Sequence, residues 1–516
     1  MKWLRGNNKV IDRYLEEARA ALAVAAEADD GDDAAAAAAL GLVSLALEMS
    51  PRTEAALELR ARALLALRRY RDVADMLRDY IPSCACASKA DDSSSSSCSS
   101  GDPILSPGRD RSDATGFLCC FDASELKRRL FSKTKSSGTD QWRYLVLGQA
   151  CFHLGLMEDA AVLLQTGRRL ASAAFRRESV CWAEDSFDKR RAPASESQLL
   201  AHVKLLLRRR AAALAALDAG LPGEAVRHLS KVLDTRRGVL PHPFATACLV
   251  GRAAAFRAAG RAADAIADCN RALALDPAFI PALRARADLL ESVGAVPDCL
   301  RDLDHLKLLY DAALRDGKLP GPSWRPQGGV RFGEIAAAQR ALAGRIQDLR
   351  SMAGAIDYYA LLGVGRGCTR WELERAHLLL TLKLKPERSV SFAERVELVD
   401  EHRDLDAVRD QARMSALFLY RMLHKGYAFI MSAVQDEEAA RRQKANDAAA
   451  AAAALTAKAE EPAIPIIPMP RTSVTPMSPR FHPGGVFCRD MAVVGSLLSR
   501  GGFDRGIPVK CEAMSC

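Results

Sequence analysis

The chain has 516 residues, of which 49% are hydrophobic, 27% charged and 6% aromatic, and its formal net charge is +9. This balance is typical of a soluble globular protein with about two to four domains. No run of about 20 apolar residues could span a bilayer, and the charged N-terminus argues against a secretory signal peptide. We therefore expect no membrane partner, and a location in the cytoplasm, with the nucleus as an alternative.

The 14 cysteines include no C-x-x-C pair and the nine histidines are isolated, which predicts neither a metal site nor a cofactor. Phosphate-binding glycine loops and the H-E-x-x-H and G-x-S-x-G motifs are also absent, so we do not expect an enzyme. Abundant alanine with few aromatic residues favours closely packed helices. The predicted fold class is all-α.

The N-terminal region, residues 1–82, shows two weak helical repeats. Residues 42–51 read as the closing helix of the first repeat, and residues 54–80 as a second, with Ala61, Leu64 and Tyr70 near the expected positions. The next region, residues 83–140, is rich in serine and should be a disordered loop with one short helix opening at Asp122. Its serines are compatible with phosphorylation and equally with a plain solubilising insertion.

Residues 141–313 carry a clear repeat. Ala253 and Gly260 recur 34 residues later as Ala287 and Gly294. Earlier repeats place Ala213, Gly220, Ala225 and Leu229, and before them Gly148, Gly155, Ala160 and Leu164, at corresponding positions. Small residues allow two antiparallel helices to approach, and the glycine that follows ends the first helix. A period of 34 residues resembles the tetratricopeptide family, which implies an α-solenoid of six repeats that binds proteins or peptides.

Some tetratricopeptide proteins hold the acidic EEVD tails of heat-shock chaperones in a carboxylate clamp. The corresponding positions here hold Arg210, Leu214, Gly251, Pro281 and Ala285. Only one of these is charged, so no clamp is expected. The candidate groove residues are four arginines, which would favour an acidic or phosphorylated partner segment, although solvated surface is the alternative: Arg210, Arg252, Arg284 and Arg286.

A Pro/Gly-rich linker is expected at 314–331, followed by a lead helix from 332 to 352 and a second domain that extends to 436. From Asp357 the sequence reads DYYALLGV, then CTRWELERAH and LKLKPE, with a third helical stretch at 418–430. These segments resemble the J-domain of DnaJ-type co-chaperones, as in plant-type proteins that combine repeats with a J-domain. The resemblance implies six core residues: Tyr358, Tyr359, Leu362, Leu380, Leu382 and Tyr427.

J-domains stimulate heat-shock-70 ATPases through a His-Pro-Asp tripeptide, and the equivalent residues here are Lys385, Pro386 and Glu387. Lysine and glutamate do not reproduce the two functional side chains, so loss of stimulation is expected. Leu378 and Leu379 stand where family members have basic residues. Because neighbouring exposed leucines would be a liability, we expect the helix 332–352 or the segment 391–410 to cover them.

Residues 437–516 read as an alanine- and proline-rich, largely disordered tail with a short C-terminal helix at 485–500. The predicted function is a non-catalytic adaptor for other proteins, co-chaperone-like but without the tripeptide. One alternative is a co-chaperone that still regulates a heat-shock-70 ATPase. Another is a helical-repeat protein that associates with nucleic acid, suggested by the positive charge, but nucleic acid is the less favoured partner because no interleaved aromatic residues accompany the basic clusters.

Overall fold

The computed structural model describes residues 2–27, 33–84, 141–181, 194–235, 240–317, 332–351, 355–398 and 404–459. Contacts divide the chain into two units, Met1–Gln443 and Lys444–Cys516. The predicted all-α fold is confirmed, since the described residues are almost entirely helical. The helix expected at Asp122 and the C-terminal segment 485–500 lie outside the described residues, as do most of the Ser-rich loop and the linker.

Twelve described helices form six consecutive antiparallel pairs. In chain order these are α1 (Lys2–Glu27) with α2 (Asp33–Met49), α3 (Glu54–Ala66) with α4 (Tyr70–Met76), α5 (Gln141–His153) with α6 (Met157–Cys181), α7 (Ala194–Asp218) with α8 (Pro222–Leu233), α9 (His242–Ala258) with α10 (Ala262–Leu275), and α11 (Ile280–Ser292) with α12 (Val296–Asp316). A 3-10 turn, Arg78–Tyr80, follows α4. Each pair packs against the next, so the described repeats form a continuous stack.

The turn inside each of the last four pairs has the same geometry. Its glycine lies in the left-handed region: Gly155, Gly220, Gly260 and Gly294, with φ between +70° and +80°. The next residue donates a backbone hydrogen bond to the carbonyl five residues back, as Leu156 does to Cys151 at 2.8 Å. This is the Schellman ending of a helix, which satisfies carbonyls left open at the C-terminus. The repeated glycines predicted from the sequence therefore end the first helix in each of these four pairs.

The second pair makes the same turn without glycine. Arg68 has φ of 56°, and Arg69 N–H donates to Leu64 O at 2.9 Å. A side chain in the left-handed region costs about 1–2 kcal/mol, a cost that glycine avoids. We expect Arg68→Gly to be more stable than Arg68→Ala by about 1 kcal/mol, because both lose the guanidinium and only the alanine keeps the strained backbone. Urea denaturation of the two variants checks this, and an alanine variant that is equally stable would contradict it.

Small residues lie at the crossing of the paired helices. Ala253 and Ala287 are buried, and a Cβ added at Gly148 would approach Leu164 Cγ to 2.8 Å. Side chains any larger at these positions would push the helices apart. Cys248, Cys269 and Cys299 fill similar buried positions, and burial raises the pKa of the Cys248 and Cys269 thiols to about 12. These thiols are packing residues and poor nucleophiles.

A buried carboxyl joins the second and third pairs. Asp159, at the start of α6, is 6% exposed and accepts hydrogen bonds from Ser83 N (3.1 Å) and Ser83 Oγ (2.7 Å). Burial raises the pKa of Asp159 from 3.8 to about 6, with a further contribution from the Glu158 charge, although the Ser83 hydrogen bonds oppose the rise. The folded protein thus favours the protonated carboxyl.

This shift predicts a pH dependence of stability. Between pH 4 and 6 the folded chain holds a proton at Asp159 that the unfolded chain has released, so the free energy of unfolding falls as pH rises through this window. The total loss is about 3 kcal/mol for about two pKa units. Asp159→Asn removes this dependence, so its stability relative to the parent protein should rise between pH 4 and 7. A relative stability that does not change with pH, measured by urea denaturation, would contradict the prediction.

Helices after the repeats continue the stack. Helix α13 is described over Phe332–Ser351, within its predicted range, and packs on α12 through a face that includes Ile335, Leu342 and Ile346. The following elements are α14 (Tyr358–Leu362), α15 (Arg370–Lys383), α16 (Pro386–Ser389), a 3-10 turn (Ala393–Arg395), strand β2 (Val396–Glu397) and α17 (Leu405–Ala459). Strand β1 (Leu240–Pro241) precedes α9 and pairs in parallel with β2.

The last described helix is longer than expected. The predicted third helix at 418–430 and the polar, alanine-rich helix after Ala433 are one continuous helix, α17. No glycine or proline interrupts the junction, and Glu437–Arg441 and Glu438–Arg442 form i,i+4 ion pairs of 3.6 and 3.7 Å along it. In the second unit the structure describes residues 444–459, and their side chains through Ala453 are exposed. No described helix is long and apolar enough to cross a membrane.

Candidate protein-interaction surface

The DYY segment begins a small module that packs on the repeats. The Asp357 carboxylate caps α14 by accepting from Tyr359 N (3.0 Å) and Ala360 N (3.2 Å), while Asp357 N–H donates to Val293 O at 2.8 Å. Gly294, the residue after Val293, lies so close to the start of the module that a Cβ added to it would stand 2.6 Å from Ala355 O. The turn of the sixth repeat and the start of the module therefore share one backbone contact.

Five of the six predicted core residues are buried or partly buried in the described structure. Tyr358 and Leu362 are buried against Gly426 of α17, where an added Cβ would approach Tyr358 Cδ1 to 2.7 Å. Leu380 and Tyr427 are partly buried. The Tyr427 ring of α17 stacks on the His377 ring of α15 with centroids 4.1 Å apart, so His377 packs α15 against α17. Tyr359 is likewise partly buried, and the Arg366 guanidinium lies 6.0 Å from its ring centroid.

Leu382 is a correction, because it is 46% exposed and not part of the core. Helix α15 buries Leu373, Leu380 and Leu384, which lie on one face. Leu382 is two residues beyond Leu380, or about 200° around the helix, and so points away from that face. Leu384, the residue just after the helix, is 4% exposed.

The expectation that another helix covers Leu378 and Leu379 is wrong. The two side chains are 57% and 58% exposed in the described structure. Helix α13 packs against α12 of the repeats, and the segment 391–398 extends towards the earlier repeats. The outer face of α15 is therefore open to solvent in the described residues.

The tripeptide equivalent lies at the surface. Lys385 precedes the four-residue helix α16, Pro386 occupies its first position, and Lys385 and Glu387 are exposed. Ser389 Oγ donates to Pro386 O at 2.7 Å, which closes the short helix. Neither exposed side chain has a hydrogen bond or ion pair within the described residues. Pro386 keeps the turn. Lys385 places a cation where a J-domain has histidine, and Glu387 carries its carboxylate one methylene further out than aspartate would.

A charged contact fixes the end of α15 to the fifth repeat. Lys383 Nζ lies 2.5 Å from Asp264 Oδ1, and Arg261 lies 2.5 Å from Asp264 Oδ2. Both cations also make cation–π contacts with the Phe256 ring: Arg261 lies 4.6 Å and Lys383 5.0 Å from the ring centroid. The Asp264 carboxylate is buried, at 3% exposed, while the Lys383 and Arg261 side chains remain about half exposed. The basic residue in the last turn of α15 is therefore already engaged by the repeats.

A second anchor reaches the N-terminal repeats. Glu397, in β2, accepts hydrogen bonds from Tyr70 Oη (3.1 Å) and His153 Nδ1 (2.7 Å), and the two rings stack 4.2 Å apart. Burial alone would raise the pKa of Glu397, but His153, Tyr70 and the Arg68 charge bring it below its ordinary range. Strand β2 thus joins the module to repeats far away in the chain, a contact that no sequence motif indicated.

The four predicted groove arginines are all engaged within the chain. Arg252 forms a bidentate pair with Asp268 (2.6 and 2.9 Å), and Arg286 forms one with Asp302 (2.8 and 2.6 Å). Each also donates to the preceding repeat, Arg252 to Ser230 Oγ at 3.1 Å and Arg286 to Asn270 Oδ1 at 2.8 Å. We call this repeated arrangement the arginine ladder.

The other two arginines also have partners, since Arg210 pairs with Glu158 at 3.1 Å and Arg284 donates to Tyr310 Oη. Arg210 therefore links two repeats and Arg284 links the two helices of the sixth pair, and neither supports the prediction of a groove lined with free positive charge.

No protein-family model matches the sequence, and no curated protein matches it. Among solved structures, the chain is similar to one described as the TPR2AB-domain:pHSP90-complex of yeast Sti1. The match has 14% identity and a TM-score of 0.21, and it covers 66% of this chain and 99% of that chain. The helix pairs and their shared turns define the fold by themselves: the described repeats form an all-α stack of antiparallel helix pairs.

Potential catalytic groups are few in this part of the molecule. The described residues contain no cluster of three His, Cys, Asp or Glu side chains able to hold a metal ion. The three carboxyl groups Asp159, Asp268 and Glu397 are hydrogen-bonded within the chain. What the module offers instead is a surface: the open face of α15 next to the exposed loop 385–387.

Proposed function

We propose that the protein is a non-catalytic adaptor in which a tetratricopeptide solenoid and a J-like module act together as one protein-binding body. Stacked helix pairs of this kind present extended surfaces to other polypeptides. The observation that carries the proposal is the double attachment of the module, through Lys383–Asp264 and through Glu397 with Tyr70 and His153. A module attached at two such distant repeats is a fixed part of the binding surface.

The same geometry argues against stimulation of a heat-shock-70 ATPase. The exposed loop holds Lys385 and Glu387 in place of histidine and aspartate. Lys383, which could attract an acidic chaperone surface, is paired with Asp264. The outer face of α15 carries leucines where the resemblance expects basic residues. A functional J-domain would need both the His-Pro-Asp side chains and unpaired basic residues on the helix before them.

Single-turnover ATP hydrolysis by a heat-shock-70 protein tests the proposal. We expect the full chain to leave the hydrolysis rate unchanged. Lys385→His combined with Glu387→Asp restores the tripeptide at two exposed positions and so should not disturb folding. This variant should also be inactive, because Leu378 and Leu379 still occupy the positions of basic residues on the outer face of α15 and Lys383 is still paired with Asp264. Stimulation by the parent protein would instead identify an active co-chaperone, and stimulation by the variant alone would show that the tripeptide was the missing element.

A further inference from the structure

The outer face of α15 carries a row of apolar side chains. Trp371, Leu378, Leu379 and Leu382 are 63%, 57%, 58% and 46% exposed. With Arg375, positions 371, 375, 378 and 382 follow the spacing i, i+4, i+7 and i+11, which places them along one side of a helix. The row spans about 17 Å, or about three turns. We call these five residues the α15 stripe.

Such a row is unusual on the surface of a finished fold. Soluble proteins rarely expose a large contiguous apolar patch unless it binds something. The exposed fractions of these four side chains are those in the folded chain, with the repeats, α13 and α17 in place. The opposite face of α15 is occupied, since Leu373 and Leu384 are buried. The fold of the module therefore does not require the stripe.

Charges next to the stripe are positive. The Arg375 guanidinium lies over the Trp371 ring, 5.2 Å from its centroid, and Arg388 Nη1 donates to Leu382 O at 3.3 Å. Lys385 is exposed just beyond the end of the helix. In the described part of the chain no carboxylate pairs with these three cations. Of the neighbouring acidic groups, Glu372 accepts from Thr369 N and Glu374 pairs with Arg370 at 2.8 Å, which leaves Glu387 as one exposed carboxylate beside the three cations.

We propose that the α15 stripe is a docking site for an acidic amphipathic helix of another protein. Apolar residues at helical spacing would pack along Trp371, Leu378 and Leu382, and flanking carboxylates would meet Arg375, Lys385 and Arg388. A second copy of this chain is disfavoured, because it would bring the same unpaired cations face to face. This inference rests on the proposed adaptor function and names the chemistry of one partner.

Two synthetic helical peptides test the proposal on the full chain. Both carry leucine at i, i+4, i+7 and i+11, and they differ only in flanking glutamates or flanking lysines. Fluorescence anisotropy should show tighter binding of the glutamate peptide. Leu378→Glu combined with Leu379→Glu should weaken that binding at least about tenfold, since central apolar anchors carry most of the energy of such a contact. Leu308→Glu is the matched control, because Leu308 is 66% exposed on α12, and it should bind like the parent protein.

Three outcomes would overturn the proposal. The first is equal binding, or no binding, of the two peptides. The second is self-association in sedimentation experiments that the double substitution abolishes, which would assign the stripe to a second copy. The third is binding to phosphatidylserine vesicles with no binding to either peptide, which would assign it to an anionic membrane surface. The ATPase assay is a separate readout, so failure of peptide binding leaves the adaptor function standing, and stimulation of ATP hydrolysis rejects that function without removing the stripe.

Discussion

Gly294→Ala should destabilise the protein by about 2–4 kcal/mol, through two effects at one site. Gly294 has φ of +72°, so any other residue there costs about 1–2 kcal/mol. The added Cβ would also stand 2.6 Å from Ala355 O, and relieving a steric overlap of this kind typically costs about 1–3 kcal/mol. Because the obstacle is backbone, it cannot rotate away. Urea denaturation gives the total loss.

Gly220→Ala separates the two effects. Gly220 has nearly the same φ, +71°, but an added Cβ there meets nothing within 4 Å. This variant should therefore lose only the conformational part, about 1–2 kcal/mol. Hydrogen exchange adds a local readout: Gly294→Ala should expose the Asp357 N–H that donates to Val293 O, and Gly220→Ala should not. Equal losses in the two variants would show that the module does not press on the sixth repeat.

Asp268→Ala should be among the most damaging substitutions, with a loss of about 3–5 kcal/mol. Asp268 is fully buried and accepts from Arg252 (2.6 and 2.9 Å) and from Arg271 (2.7 Å). Burial alone would raise the pKa of its carboxyl, but the two guanidinium charges hold that pKa below its ordinary range. Removing the carboxylate leaves Arg252, 13% exposed, with a buried charge and no bidentate partner.

Two comparisons give this prediction its controls. Arg252→Leu with Asp268→Leu removes both charges, so the double variant should be less damaged than the sum of the two single variants. Arg257→Ala removes an exposed cation whose distance to Asp288 is 3.9 Å, and it should cost less than about 1 kcal/mol. If Asp268→Ala and Arg257→Ala cost the same, the arginine ladder contributes little to the stack.

The repeats were predictable because their cause is local and recurrent. Gly260 and Gly294 end helices through backbone conformation alone, and Ala253 and Ala287 permit close crossing through their size. Because the pattern recurs after 34 residues, the need for a small residue at the crossing and a glycine at the turn can be read from the sequence several times. The second pair weakened this signal because Arg68 makes the turn without glycine. Helix α13 was predictable from its apolar face.

The tertiary structure decided what the charged and exposed residues do. Arg252 and Arg286 looked like groove residues in the sequence, but their partners Asp268 and Asp302 lie 16 residues away on the paired helix. The J-domain resemblance predicted Leu382 as a core residue, yet the rotation of α15 turns it outward.

The composition and period of the sequence determined a stack of helix pairs, since size and backbone conformation are properties of single residues. Contacts over long chain distances, such as Glu397 with Tyr70 and His153, depend on where the backbone brings side chains together. Only the folded chain could decide which charges are paired and which face of α15 stays open, because pairing and burial are properties of neighbours in space.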